Sequence, residues 1–309
     1  MGGSGGTFSH YKPSEIVQKV REEERKIDTS EFETRLASRF AQLLAKYNDR
    51  DAGLVRERLD SLKRSLEGKL GDAVDLVFGG SVAKHTYVDG LSDIDSILIL
   101  NDTPLAERTP KHILERLSAE LSKRLEKGAH LTIGSIAITV EYSDGMTLQI
   151  LPGLRGDDHL KVPAWRKNEW ATINPEQFRA GLTKRNEQCG GKVVPTIKLA
   201  KAINATLPEK VQLSGYHIES LAIAAFREYD GPHTTVRMLP HFFDRASSLV
   251  LRPITDSSGQ SVHVDDDLGG ENSELRKERS YVLQRIAKRM TNSTAAQSIE
   301  QWISLFGDE

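Results

Sequence analysis

Cysteine is almost missing from this sequence. Its 309 residues hold one, Cys189, so no intramolecular disulfide and no cysteine-based zinc cluster can form. That thiol lies in Gln188-Cys189-Gly190-Gly191 and reads as an ordinary small residue rather than a nucleophile. Long apolar runs are missing too. No stretch approaches the roughly 20 residues that a membrane span needs, and the N-terminus lacks the apolar core of a signal peptide. The expectation is a cytoplasmic protein with no membrane partner. Nor does one sign of charge dominate. A formal net charge of -2 argues against a surface that grips long nucleic acid all over, though a local basic groove is compatible with it. The nine histidines form no His-Glu-X-X-His spacing, which disfavours zinc catalysis. No internal repeat is visible. Met1-Gly2-Gly3-Ser4-Gly5-Gly6 reads as a flexible linker, and no Gly-Lys-Ser/Thr follows that would make it a Walker loop.

What is present is a soluble, globular composition long enough for one large domain or two ordinary ones. The first part reads as helical over residues 14–26, 31–47 and 52–70. Ser30 and Glu33 form a capping-box pattern before the second of these. Phe32, Leu36, Phe40, Leu43 and Leu44 make an apolar stripe at helical spacing, and these helices are expected to brace a sheet. Residues 75–78 form a short apolar run that ends in Gly79-Gly80-Ser81, and residues 93–100 read as a buried strand. A helix with Pro110 at its first position extends over 109–127. Residues 136–142 and 146–151 flank Ser143-Asp144-Gly145, which signals a hairpin. From Trp165 onward strand signals fade. Helices are expected from Asn174-Pro175 and over 193–205, 216–229, 272–290 and 295–306.

The chemistry concentrates in two short motifs. Asp93 and Asp95 stand two apart on a predicted strand, so both side chains leave one face. Paired carboxylates on an apolar strand are costly unless they meet a cation. Magnesium favours a few carboxylates plus water and phosphate oxygens, and paired metals suit phosphoryl transfer. Twelve residues earlier lies Ser81, in a glycine turn that lets backbone N–H groups approach phosphate oxygens while the hydroxyl adds a donor. Thr86, Gly90 and Ser92 complete a coherent set between them.

The run Phe78-Gly-Gly-Ser-Val-Ala-Lys-His-Thr-Tyr-Val-Asp-Gly-Leu-Ser-Asp-Ile-Asp-Ser96 resembles the signature of DNA polymerase β-type nucleotidyltransferases. More narrowly, it resembles the bacterial relatives of oligoadenylate synthase and cyclic GMP-AMP synthase. These are the CD-NTases, the oligonucleotide cyclases of the anti-phage systems called CBASS. The resemblance continues through Ile150-Leu151-Pro152 and two helical segments, residues 196–201 and 214–220.

The resemblance implies an α+β fold: a polymerase β-like lobe with a mixed sheet and N-terminal bracing helices over residues 1–165, and a mainly helical substrate-binding lobe over 166–309. It implies synthesis of cyclic di- or trinucleotides from ATP and/or GTP with release of pyrophosphate. Partners would be those triphosphates and CBASS regulatory or effector proteins. Gly80 and Ser81 would contact the triphosphate, and Asp93 and Asp95 would hold Mg2+, with Mn2+ as the alternative. Lys198 and Lys201 would neutralise the phosphate tail, and Tyr216 would stack on a base. One position departs from the pattern. Many relatives carry a third aspartate just before the Leu-Pro, and here Gln149 occupies that place, with Glu141 on the preceding strand as a substitute. Two other readings stay open: nucleotidyl transfer to RNA, protein or a small molecule, and a catalytically silent nucleotide sensor. The run Asp265-Asp266-Asp267 could mark a second metal cluster, but an exposed acidic loop near the interdomain cleft is the preferred reading.

Overall fold

Helices take most of the described chain. The computed structural model describes residues 13–48, 52–66, 74–78, 86, 88, 94–100, 107–156, 159–164, 168–255 and 264–307. Helix α1 (Pro13–Lys46) is continuous through Ser30, where the capping-box pattern places a helix start. Neither glycine nor proline interrupts it after Pro13. Thr34 Oγ1 donates to the Ser30 carbonyl at 2.9 Å, as a hydroxyl inside a helix does. Glu33, the other half of the expected box, instead pairs with Arg237. Of the expected stripe, Phe32, Leu36, Phe40 and Leu43 are buried and Leu44 is half-buried, but they do not brace the sheet as expected. They belong to the core of the helical half, where the Phe40 ring meets Trp302 edge-on at 5.6 Å.

Bracing the sheet falls to α2 (Ala52–Leu66) and α3 (Pro110–Leu121). Leu59, Leu62 and Leu66 of the first, with Ile113, Leu114, Leu117 and Leu121 of the second, share a core with Leu98, Leu100, Ile138, Val140, Leu148 and Ile150. The period-2 alternation of the strands supplies that second set.

Among the described residues the seven strands are β1 (Val74–Phe78), β2 (Ile94–Leu100), β3 (His130–Ile133), β4 (Ile138–Glu141), β5 (Thr147–Arg155), β6 (Leu160–Pro163) and β7 (Trp170–Ile173). The sheet runs β1-β2-β5-β4-β3, with β6 paired to both β5 and β7. It is mixed: β2 and β5 are parallel, whereas the other pairings are antiparallel. The expected β4–β5 hairpin forms. Gly145 takes φ +85, and Gly145 N–H donates to the Tyr142 carbonyl at 3.0 Å. Along β5 the ladder to β4 ends at Ile150 and the ladder to β6 begins at Leu154. Pro152, which has no N–H to give, falls between the two. Strand β7 lies past the point where strand signals fade in the sequence, because its four residues are too few to carry an alternation.

The helical half holds α4 (Pro175–Gln188), α5 (Val193–Ala205), α6 (Gly215–Ala225), α7 (Thr235–Leu249), α8 (Glu274–Ala295) and α9 (Ile299–Ile303). Asn174 caps α4 by accepting from Gln177 N–H at 2.9 Å. Helix α7 is absent from the sequence reading because Pro240 sits inside it. Val236, Leu239, Phe242, Phe243 and Ala246 nevertheless give it a buried face at helical spacing. No described helix is long and apolar enough to cross a membrane.

Candidate functional site

Gly80, Ser81 and Asp93 lie outside the described residues. Asp95 lies on β2, where the backbone register is defined: its Cα partner on β5 is Gln149. Gln149 in turn faces Thr139 on β4, so positions 95, 149 and 139 form one row across three strands. Gln149 is half-buried, and its backbone carbonyl accepts from Ser96 Oγ at 2.9 Å. Glu141 pairs with Thr147, one alternation along from that row, and is exposed.

Among the described residues no group of three or more His, Cys, Asp or Glu could hold a metal. The row itself brings together the backbone positions of Asp95, Gln149 and Thr139. Their side chains offer oxygen donors by type, the kind a hard divalent cation takes, and Gln149 would bring a carbonyl oxygen without charge.

The second group of predicted residues sits on α5 and α6. Lys198 is half-buried and donates to Asn48 Oδ1, in the turn after α1. Burial, reinforced by the nearby Lys201 charge, holds its pKa below the ordinary lysine value. Lys201, one turn on, is buried. Its Nζ lies 2.8 Å from Glu219 Oε1 on α6 and 3.1 Å from the Thr86 carbonyl. The Thr86 hydroxyl donates to the same Glu219 oxygen. Tyr216 is half-buried, with its ring 4.8 Å from Phe178 of α4 and tilted by 48°. The structure thus gathers Lys198, Lys201 and Tyr216 on two adjacent helices and Asp95 with Gln149 on two adjacent strands.

Sequence reasoning missed Glu219, and placed Thr86 in the motif without a partner for it. An acid in the apolar run of α6 was the available signal, since a carboxylate in such a run needs a cation. It also misjudged Asp265. That residue is fully buried rather than part of an exposed loop, and only Asp266 and Asp267 are exposed. Asp265 Oδ2 lies 2.6 Å from Arg276 Nη1, and its Oδ1 accepts from Ile254 N–H at 3.1 Å. Arg276 also donates to the carbonyls of Val250, Arg252, Asp265 and Gly269. With Arg276 the acid ties the segments that follow α7 and precede α8 to the first turn of α8, which is a structural task. The His217 ring stands 3.3 Å from the same carboxylate, too poorly aligned for a hydrogen bond. Burial pushes its pKa down to about 4 against the pull of Asp265.

No known family profile and no curated protein matches the sequence. Solved structures do match the fold. The CD-NTase CdnG of Bradyrhizobium diazoefficiens, solved with GTP, superposes at TM-score 0.68 and 17% identity, over 89% of this chain and 95% of that one. CdnC of E. coli MS115-1, solved with ATP, gives TM-score 0.62 and 16% identity over 89% and 97%. The DncV cyclic AMP-GMP synthase of Vibrio cholerae, solved with nonhydrolyzable GTP, gives 0.61 and 11% over 96% and 91%. The fold of this chain, mixed sheet and helical half together, is therefore the CD-NTase fold.

Proposed function

We propose that this chain is a nucleotidyltransferase that makes a cyclic di- or trinucleotide from nucleoside triphosphates in anti-phage signalling. The observation that carries this reading is the coincidence of fold and motif. The chain has the architecture of the CD-NTase CdnG solved with GTP and of the cyclic AMP-GMP synthase DncV solved with nonhydrolyzable GTP, and in the backbone register Asp95 of the Asp-Ile-Asp motif stands opposite Gln149.

In this reading a 2′- or 3′-hydroxyl of one bound nucleotide attacks the α-phosphate of another. The hydroxyl proton is lost, the new P–O bond forms, and the bond to pyrophosphate breaks. A second such step closes a cyclic dinucleotide, and a third is needed for a cyclic trinucleotide, each releasing one pyrophosphate. Ser81 donates to a phosphate oxygen, and Gly80 lets the backbone come close. Asp93, Asp95 and Gln149 would hold Mg2+, or Mn2+ in its place. A cation bound there supplies neutralisation of the triphosphate charge. Lys198 adds a positive charge from the helical side, and Tyr216 offers a ring face to a base. Positioning and charge neutralisation then account for most of the catalysis.

The test is incubation of the purified chain with labelled ATP and GTP and magnesium, without any acceptor, followed by mass spectrometry of the products. A cyclic product supports the reading. Product only when RNA, protein or a small molecule is added moves the chain to acceptor transfer. Gln149 motivates a further reading, a silent sensor, which requires retained nucleotide binding with no product.

A further inference from the structure

The connection between β1 and β2 carries Gly80, Ser81 and Asp93, and the helical half grips it at two described positions. Val88 is fully buried within the helical core beside residues of α5 and α6. Thr86 is fully buried as well. Its hydroxyl donates to Glu219, and its carbonyl accepts from Lys201 at 3.1 Å. Lys201 and Glu219 close the triangle at 2.8 Å. A Cβ added to Gly215 would come within 3.3 Å of Lys201 Cε and Nζ, so the lysine is hemmed in from the α6 side.

We propose that Thr86, Lys201 and Glu219 form a positioning junction: the helical half uses it to hold the β1–β2 connection, and with it Ser81 and Asp93, in register for nucleotidyl transfer. The inference rests on the function proposed above and assigns roles to two residues, Thr86 and Glu219, that the motif reading leaves idle. Three arguments carry it. A carboxylate and an ammonium group at 1% and 6% exposure are costly to desolvate, and mutual pairing alone often fails to recover that cost. Here both are directed at one threonine of the opposite half, so the pair does more than satisfy itself. The grip falls five residues after Ser81 and seven before Asp93, and a loss of geometry at either is of the kind that costs rate rather than affinity. Finally, Lys201 lies three residues after Lys198, and Glu219 three after Tyr216. The helices that would meet the nucleotide are those that hold the connection.

Amide hydrogen exchange on the full chain, paired with steady-state kinetics, tests this. Thr86→Val keeps the volume and removes the hydroxyl, while Thr86→Ser keeps the hydroxyl. In Thr86→Val, exchange across residues 79–93 should rise about tenfold while residues 193–225 keep wild-type protection. With ATP, GTP and magnesium its kcat should drop about tenfold with KM within about twofold, and Thr86→Ser should restore both readouts. If Thr86→Val does not fold, the double variant Lys201→Met with Glu219→Leu removes both charges and should show the same local exchange. Unchanged exchange at 79–93, or acceleration equally throughout, overturns the junction. So does a rise in KM with kcat retained, which would mean that these groups act on the nucleotide. An inactive wild-type chain would refute the proposed function, and the exchange measurement would still decide the junction.

Discussion

Gln149 stands directly opposite Asp95 in the parallel ladder that joins β5 to β2. If that row holds a metal, the ligand it lacks is a charge and not an oxygen. Gln149→Asp should lower the magnesium needed for half-maximal product formation by about tenfold, the lower end of what ligand-shell changes do to metal affinity. Gln149→Leu should raise it by a similar factor or stop turnover. A magnesium titration of both variants checks this, and two curves that overlay the wild type would separate Gln149 from the metal.

Asp93→Asn combined with Asp95→Asn should abolish product. Without metal the melting temperature should hold or rise, because two clustered carboxylates repel each other in the metal-free protein. Product near the wild-type level would end the mechanism.

The two lysines of α5 should part company. Lys198 touches Asn48 near the protein surface, so Lys198→Ala should leave folding nearly intact. Triphosphate binding should weaken by about 1.5–3 kcal/mol if the amine meets phosphate. Lys201→Ala takes its ammonium partner from Glu219, a carboxylate only 1% exposed, and should cost about 3 kcal/mol of stability. Isothermal binding and thermal melts on each single variant distinguish the two effects.

Acid should loosen the helical half through His217. Its folded pKa of about 4 lies below the ordinary 6.5, so between those values the unfolded chain binds a proton that the folded chain refuses. The stability this represents is complete above about pH 6.5 and is lost as the pH falls towards 4, a difference of up to about 3 kcal/mol. Asp265, Asp267, Arg276 and Arg279 act on the same ring and are retained in the comparison. His217→Gln should flatten the melting temperature over pH 4–7; an unchanged slope would assign it to other groups.

Local chemistry was the legible part of this sequence. The Ser143-Asp144-Gly145 turn, the Asn174 cap and the 193–205 helix were readable because each depends on neighbours in the chain. What was not readable depends on partners far away. Glu33 reads as a helix cap until Arg237 is known to lie across from it. Asp265 reads as solvated until Arg276 closes over it. Pro240 suggests a break, yet the apolar face of α7 is buried strongly enough to keep the helix. The same holds at the candidate site. The motif spacing pointed to Asp95 and the family resemblance to Gln149, but only the ladder set their backbones side by side, and nothing local in 196–201 tells Lys198 from Lys201.

Phe40 lies against both Trp302 and Phe306, with ring centroids 5.6 and 5.9 Å apart. During synthesis the buried stripe of α1 leaves the ribosome early and then waits for the residues that cover it. The sheet core draws on residues 55–154 and can close sooner; the helical core must stay open until Phe306 has emerged. Biogenesis of this protein therefore includes an interval in which α1 exposes large apolar side chains, and in that interval a chaperone or an early misassembly finds its opportunity.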